Sequence, residues 1–509
     1  MKTIIKYNLL VVLMIISGAC SDRFLDEEIL GVETLDSFYS SEENATKGVT
    51  ALYARLKIHG NRMLFGDIMS DDAWKGGENN ADFQSWYDLL IFNIDPFNGT
   101  STGMWIDSYN LIYEANVAIL RIPAIDMNDD TKNRLVAEAR ALRAFSYLEL
   151  VRLYGGVPLI TEPLTPDKLN IPRNSAEEVF AFVESEFLAV SEILPSVYPS
   201  NEHGRITKDA ALGLLARIHL FQGEFAEVEK YTKMIIDRGV YGFHAEGFNG
   251  NWGMENYMGN NEFIFEVKSY GFEGFDIQTT RSLLAVQTGI RGSDTGWSFD
   301  IPTQDLYDAY EDGDPRREFT IGKNGDIYDN EDVLVIDSSI PAYGTDGDPY
   351  ACIKWYETKS KRKNPKDIDH YMSKSFPILR YADVVLMYAE ALNENGNSGG
   401  ALIELNKIRE RARNSVSPAS GVPANLSIAD QGGLRTAILN ERRLELAFEW
   451  NRYFDLLRTK TAGTVLRNFA SKYNTPKGAA FDETKHYLMP IPGIDITRTG
   501  GVIEQNPGY

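Results

Sequence analysis

At two places with a shared pattern an alanine stands seven residues before a glycine: Ala216 before Gly223, and Ala389 before Gly396. Each pair lies where two amphipathic stretches meet across a tight turn. A small residue lets helices approach closely, and glycine closes the turn because it takes left-handed backbone angles at no steric cost. The pattern predicts antiparallel helix pairs. Leu135, Ala139, Leu142 and Phe145 repeat at helical spacing, which predicts a helix over about 133–154, stopped at Gly155-Gly156 with Pro158 beyond. Asn174-Ser175 caps a second helix that ends near Pro195. Thr207 caps a third, running to Phe221, and a fourth runs over 225–237. A later block predicts helices over 384–393 and 401–413, then one long helix or two joined ones over 434–458.

Such paired helices resemble the helix–turn–helix unit of tetratricopeptide repeats. The expected fold is mostly α: a tetratricopeptide-like helix-pair scaffold with a loop-rich, variable face and a few short strands. Helical-repeat elements are expected at about 40–60, 105–240 and 380–460, and loop-rich segments at about 66–102 and 241–375. Those segments carry Gly, Asn, Asp and Pro, with strand-like pieces at 262–267 and 333–336. Long irregular segments in a compact protein are functional or disordered. Their many rings argue against disorder.

The N-terminus predicts export. Lys2 and Lys6 precede the apolar run Leu9 to Ile16, followed by Ser17, Gly18, Ala19 and Cys20. That is the layout of a signal peptide, and it is too short to span a bilayer. It resembles a bacterial lipoprotein signal, so residues 1–19 are expected to be removed and Cys20 to carry lipid. Ser17 departs from that signal, which prefers an aliphatic residue there. Asp22, Asp26, Glu27 and Glu28 form an acidic patch around Phe24-Leu25. It resembles the surface-export signal of lipoproteins in the Bacteroidetes group. The net charge of −22 argues against a nucleic-acid partner, which needs clustered Lys and Arg, and against docking to anionic lipid. The only other cysteine is Cys352, so a lipidated Cys20 leaves no intramolecular disulfide.

Catalytic signatures are absent. There is no His-Glu-x-x-His, no phosphate loop and no Gly-x-Ser-x-Gly elbow. The six histidines are scattered without metal-ligand spacing. Aspartate-rich turns at 329–332 and 346–348 do not fit the EF-hand pattern. No cofactor, no metal and no catalytic residue is expected. The charged ladder Glu441, Arg442, Arg443, Glu445, Glu449, Arg452, Asp455 and Arg458 offers opposite-sign i,i+3 neighbours and is expected to tie helices together.

The tryptophans separate by context. Trp105 is expected in the core, and Trp450, within the charged ladder, is expected to be structural. Trp74, Trp86, Trp252, Trp297 and Trp355 lie in loop-like sequence. A ring in a polar loop either pins that loop or stacks on the apolar face of a sugar whose hydroxyls bond nearby polar groups. Trp74 and Trp86 flank Gly76-Gly77-Glu78-Asn79-Asn80. The expected ligand-binding set is Asp71, Asp72, Trp74, Trp86, Tyr87 and Trp297.

Further motifs bring a resemblance to the SusD/RagB family. Phe24-Leu25-Asp26 resembles the family's start, and Trp105 with Tyr109, Ile112 and Ala115-Asn116 its next motif. Glu138 to Phe145, ending in Arg152 to Leu159, is a specific match. So are Leu379 to Asp383 with Tyr388 to Ala391, and Asn406 to Ala412. The ladder from Glu441 to Ala447, Met489-Pro490-Ile491-Pro492 and the closing Gln505 to Tyr509 also fit. The resemblance implies a surface lipoprotein of the outer membrane that binds glycan and forms a lid on a SusC-like, TonB-dependent transporter. It does not assign ligand residues, which fall in the variable loops. Two rivals stand beside a non-enzymatic glycan binder: the same scaffold binding peptide or another nutrient, and a surface glycoside hydrolase.

Overall fold

The computed structural model describes residues 35–56, 63–165, 168, 170–252, 259–268, 284–291, 296–328, 332–336, 350–356 and 374–509. The expected signal, Cys20 and most of both aspartate-rich turns lie outside the described residues. The chain is mostly helical with a few short strands, as the periodicity predicts. Its principal helices are α1 (Glu42–Arg55), α2 (Gln84–Leu90), α3 (Gly99–Arg121), α4 (Asp129–Tyr154), α5 (Ala176–Ser191) and α6 (Lys208–Gln222). They continue with α7 (Phe225–Arg238), α8 (Tyr381–Glu394), α9 (Ser398–Arg413), α10 (Gln431–Glu445), α11 (Arg452–Arg458) and α12 (Ala462–Tyr473).

Side-chain caps set where these helices start. Asn98 accepts from the Thr100 and Ser101 N–H groups at α3, and Thr207 from Ala210 N–H at α6. Ser175 and Glu178 form a reciprocal capping box at α5. Helix α4 begins four residues before the predicted start at 133. Asn128 caps it there, and Asp129 and Asp130 suit the positive end of the helix dipole. Ala216 and Ala389 are fully buried, as close helix packing requires. Gly223 and Gly396 have φ of +78° and +87°, and a Cβ on either would meet nothing within 4 Å. Backbone conformation, not space, demands glycine at both turns.

Each long helix packs on the next, from α3 through α7, and α1 lies across α3 and α4. Helix α8 then packs on α7, although residues 239–380 separate them in sequence. Helices α9 and α10 close against α8 through Val385, Ala389, Leu405, Ile408, Leu434 and Ile438. The long insertion leaves the helical stack and returns to it.

The strands are β1 (Ala73–Gly76), β2 (Phe263–Val267), β3 (Phe299–Pro302), β4 (Ile321–Lys323), β5 (Ile327–Tyr328), β6 (Asp332–Val333), β7 (Tyr350–Cys352) and β8 (Phe376–Arg380). Among the described residues they form two-stranded antiparallel pairs: β1 with β3, β2 with β8, β4 with β7 and β5 with β6. The β2–β8 pair leads straight into α8.

The stretch 434–458 is two helices, not one. Phe448 and Trp450, with φ of 59° and 61°, turn the chain between α10 and α11. The break redirects the charged ladder. Of its expected i,i+3 pairs, Asp455–Arg458 forms at 2.7 Å. The other charges reach distant elements instead. Arg380, at the end of β8, donates to Glu445 and Glu262 at 2.7 Å each and to Glu449 at 2.6 Å. Arg316 donates to Glu441 at 2.6 Å, Arg409 to Glu441 at 2.8 Å, and Lys354 to Glu449 at 2.8 Å. Arg411 also bonds Glu445 and stacks its guanidinium over Phe243 and Phe248, each 5.3 Å away. Burial opposes the Glu445 charge, but Arg411, Arg380 and Arg316 outweigh it and hold the carboxyl down to about 2.

Two outcomes test this reading. Glu445→Gln is expected to cost about 3–5 kcal/mol at neutral pH, because it strands buried guanidinium charge. A carboxyl whose pKa folding lowers stabilises fully above its unfolded value and loses that stabilisation as pH falls. The native chain therefore weakens from about pH 5 toward pH 2, and the variant follows a shallower acid limb in urea titrations. Separately, a Cβ on Gly66 would fall 2.3 Å from the Trp450 Cα. Gly66→Ala is expected to lose about 1–3 kcal/mol. Gly399→Ala, on exposed α9 with nothing within 4 Å, is expected to leave thermal unfolding unchanged or slightly raised.

Candidate functional site

Gly76 and Gly77 end β1 with φ of 71° and 81°. A Cβ on Gly76 would fall 1.9 Å from the Ser298 carbonyl oxygen, and Gly77 N–H donates to that oxygen at 2.8 Å. The glycine pair thus lets the loop before β3 lie against the loop before α2. The 76–83 loop braces itself. Asn79 Oδ1 accepts from Ala81 and Asp82 N–H, Asp82 Oδ2 accepts from Glu78 N–H at 2.8 Å, and Lys75 donates to the Asn79 carbonyl at 3.0 Å. Arg291 joins the two loops, donating to Asp82 Oδ2 at 3.2 Å and to the Trp297 carbonyl at 3.3 Å.

The aromatic side chains converge on Phe299. Trp86 lies 4.7 Å from it edge-on, Phe83 5.6 Å and Trp297 6.5 Å. Phe83 also stacks on Trp86 at 4.6 Å. Phe83 holds a left-handed backbone, φ 55° and ψ 67°, and its side chain is 49% exposed. A bulky residue in that region is strained, and such outliers gather at functional sites. Trp297 is half-buried and meets Phe299 as Phe83 does. On the same loop as Phe83, Glu78, Asn79, Asn80 and Ala81 are exposed, and Asp82 is held by Arg291. The patch therefore presents apolar ring faces rimmed by hydrogen-bonding groups.

The structure brings Trp86 and Trp297 together, but Trp86 is 7% exposed and serves as the floor under Phe83. Trp74 sits on β1 opposite Ile301, packed on Phe469 at 5.6 Å, and is half-buried. Tyr87 is half-buried on α2 against the core. Asp71 and Asp72 lie behind the patch, buried at 2% and 0% exposure. Asp71 accepts from Arg452 at 2.8 and 2.9 Å, and Asp72 from Arg443 at 2.6 Å. Burial pushes the Asp71 carboxyl up, but Arg443 and Arg452 outweigh it and hold it below the usual range. These two carboxylates anchor the loop to α10 and α11. Phe83 and Arg291 were not among the residues expected from sequence. Trp252 and Trp355 are core rings, stacked edge-to-face at 5.5 Å, and Trp355 stacks on Trp450 at 6.0 Å.

Beneath the strands Lys477 Nζ donates to the Ile68 carbonyl at 2.6 Å. Burial pushes its ammonium down to about 7, against the pull of Asp71, Asp72, Asp300 and Asp67. Burial likewise raises the carboxyls of Asp67 and Asp300 well above their ordinary value. Both are sealed from solvent, so neither can reach a ligand as acid or base. Among the described residues no group of three or more His, Cys, Asp or Glu side chains is placed to hold a metal ion. No described helix is long and apolar enough to cross a membrane.

Comparison with known proteins identifies the scaffold. The SusD family model matches residues 251–509. The chain belongs to the SusD family. A second family model, described as starch-binding and associating with the outer membrane, matches residues 23–220. A SusD-like protein of Formosa agariphila is 26% identical, covering 99% of this chain and 100% of its own length. A SusD-like protein from Bacteroides fragilis superposes with a TM-score of 0.78 at 27% identity, covering 93% of this chain and 98% of that one. A laminarin-binding SusD-like protein superposes with a TM-score of 0.76 at 26% identity, covering 92% and 100%. Within this SusD-family scaffold, the loop at 76–83 and residues 291 and 296–299 carry the aromatic patch.

Stability measurements separate the floor of the patch from its exposed face. Trp86→Ala is expected to lose about 3–5 kcal/mol in denaturant titrations, as buried aromatic truncations do. Phe83→Ala is expected to lose no more than about 1.5 kcal/mol, the scale of its ring stacking.

Proposed function

We propose that this SusD-family chain is a non-catalytic surface lipoprotein that captures glycan and delivers it to a SusC-like, TonB-dependent transporter. The observation that carries the reading is that Phe83 and Trp297 both meet Phe299, on loops that brace each other and also bear Asp82, Arg291, Glu78 and Asn79. Rings of this kind stack on the apolar face of a sugar, and the rim supplies donors and acceptors for its hydroxyls. The laminarin-binding relative supports a polysaccharide as the ligand class. Of the residues expected from sequence, Trp297 carries direct stacking, while Trp74 and Tyr87 pack against the core. Trp86, Asp71 and Asp72 hold the loop in place. Under this reading residues 1–19 are the export signal, Cys20 is the lipidated N-terminus, and the acidic stretch after it is the surface address and leash.

Isothermal titration against a panel of soluble polysaccharides that includes laminarin tests the binding role. The native chain is expected to bind at least one of them. Phe83→Ala and Trp297→Ala are each expected to weaken that binding about tenfold, since base and ring stacking contacts are worth roughly 1–3 kcal/mol by truncation, with thermal unfolding nearly unchanged. Unaltered affinity in both variants removes the patch from the site. Release of sugar products by the native chain, abolished by one Asp or Glu substitution, replaces the binding role with a hydrolytic one.

A further inference from the structure

Polysaccharides divide sharply by charge: some are neutral, and others carry a carboxylate or sulfate on many of their rings. The charges on the loops that bear Phe83 and Trp297 distinguish the two. Among the described residues of 75–83 and 284–299, the charged side chains are Lys75, Glu78, Asp82 and Arg291. An anionic sugar needs an accessible cation with unmet donors, above all an arginine fork that takes a carboxylate or sulfate in two hydrogen bonds.

Neither cation offers that. Lys75 is 3% exposed. Its ammonium donates to the Asn79 carbonyl at 3.0 Å and to the Asp82 carbonyl, and it lies over the Phe299 ring, 5.5 Å from the centroid. It serves the loop from within. Arg291 is half-buried, and each of its nitrogens is turned to the protein. Nε donates to the Trp297 carbonyl at 3.3 Å, Nη2 donates to Asp82 Oδ2 at 3.2 Å, and Nη1 lies 4.0 Å from Glu78 Oε2. A carboxylate or sulfate could take this guanidinium only by displacing Asp82. That carboxylate also accepts from the Glu78 N–H at 2.8 Å, so it holds the turn before Phe83.

The accessible charge is negative. The Glu78 side chain is 70% exposed, and its 4.0 Å approach to Arg291 is longer than a hydrogen bond. It stands on the loop that bears Phe83 and beside the arginine that bonds the Trp297 carbonyl, so an anion on either ring would meet it. Screening confines the decision to such neighbours, because the Debye length at physiological ionic strength is about 8 Å. The net charge of −22 on the whole chain acts in the same direction. A neutral sugar meets none of this repulsion. Its hydroxyls can donate to Glu78 and can bond the exposed Asn80 amide in either sense.

We propose, resting on the glycan reading of these loops, that the patch selects neutral glycan and excludes polysaccharides bearing carboxylate or sulfate groups, with the exposed Glu78 carboxylate and the engaged cations Lys75 and Arg291 setting that choice.

Isothermal titration of the full chain, at about 20 mM and about 150 mM salt, compares neutral laminarin, soluble starch and galactomannan with anionic alginate, polygalacturonate and carrageenan. A neutral polysaccharide is expected to bind, and every anionic one to bind about tenfold or more weakly than it. Glu78→Lys is expected to raise the affinity for alginate or polygalacturonate about tenfold at the lower salt, with a smaller gain at the higher, as charge pairing across an interface does. Thermal unfolding of that variant is expected to stay near the native value, because Glu78 is exposed. An anionic polysaccharide bound within about tenfold of the best neutral one overturns the charge selection. If Phe83→Ala or Trp297→Ala abolishes that anionic binding, the glycan reading stands without it. No gain of anionic binding in Glu78→Lys overturns the selection as well. Binding to none of these polysaccharides, or neutral binding that both ring variants leave unaltered, removes the glycan reading itself and the selection with it.

Discussion

The structure depends on one buried electrostatic junction. Arg380 closes β8, opens α8, and sits 1% exposed among Glu262, Glu445 and Glu449. Around it, Arg316, Lys354, Arg409 and Arg411 face Asp314 and Glu441 as well, so five cations meet five carboxylates. Desolvating that many charges is expensive, and their mutual attraction repays it only when geometry is complete. Completeness here requires three separate parts of the chain. The helical stack brings Glu441, Glu445, Arg409 and Arg411. The long insertion brings Asp314, Arg316, Lys354 and Glu262. Strand β8 brings Arg380. None of these parts can leave without exposing or orphaning charge in the others, so the variable face is locked to the scaffold by electrostatics as well as by packing.

A second set of pairs carries that lock to the aromatic patch. Arg443 follows Glu441 and Arg442 on α10 but turns the other way, to Asp72 and Asp305. Arg452 opens α11 and holds Asp71. Asp71 and Asp72 sit directly before β1, and β1 pairs with β3, which follows Trp297. The chain of contact runs from the helix break at Phe448 and Trp450, through two arginines, to the strand pair that presents the rings. The break is therefore not a defect in a long helix. It is what aims consecutive charges of one ladder at different partners.

The helical half of the fold was legible because its information is local. Apolar repeats, caps such as Thr207 and turn glycines such as Gly396 act within a few residues, so they can be read in one dimension. Even there the boundary at 446–451 was not, since the backbone at Trp450 lies against Gly66, far away in sequence. The site was legible only as a neighbourhood. Sequence placed loop rings and acids near 71–87 and at 297. It could not tell an acid that meets solvent from one that meets an arginine some 380 residues later, as Asp71 meets Arg452. Nor could it show that Trp86 lies under Phe83, or that Arg291 bridges to Asp82, because those relations exist only after β1 and β3 pair.

The rigidity of the patch bears on what it can do. A surface ring that must be ordered on binding loses part of its interaction energy to that ordering. Phe83 is held before any ligand arrives: its backbone is fixed by the Asn79 turn and the start of α2, its ring by Trp86 and Phe299. Trp297 is fixed by Arg291 and the close approach of Gly76. In the proposed role, two such preset rings offer a low-entropy platform, and stacking on them discriminates little between one sugar sequence and the next. Selectivity then falls to the rim, where Glu78, Asn79 and Asn80 can change without disturbing the charge junction below. In the proposed role, tethering beside a transporter makes modest affinity no handicap, because it replaces a search through solution with a high effective concentration. A scaffold held firmly by buried charge, a fixed pair of rings and an exchangeable polar rim is thus a division of labour in which ligand preference can drift while the fold does not.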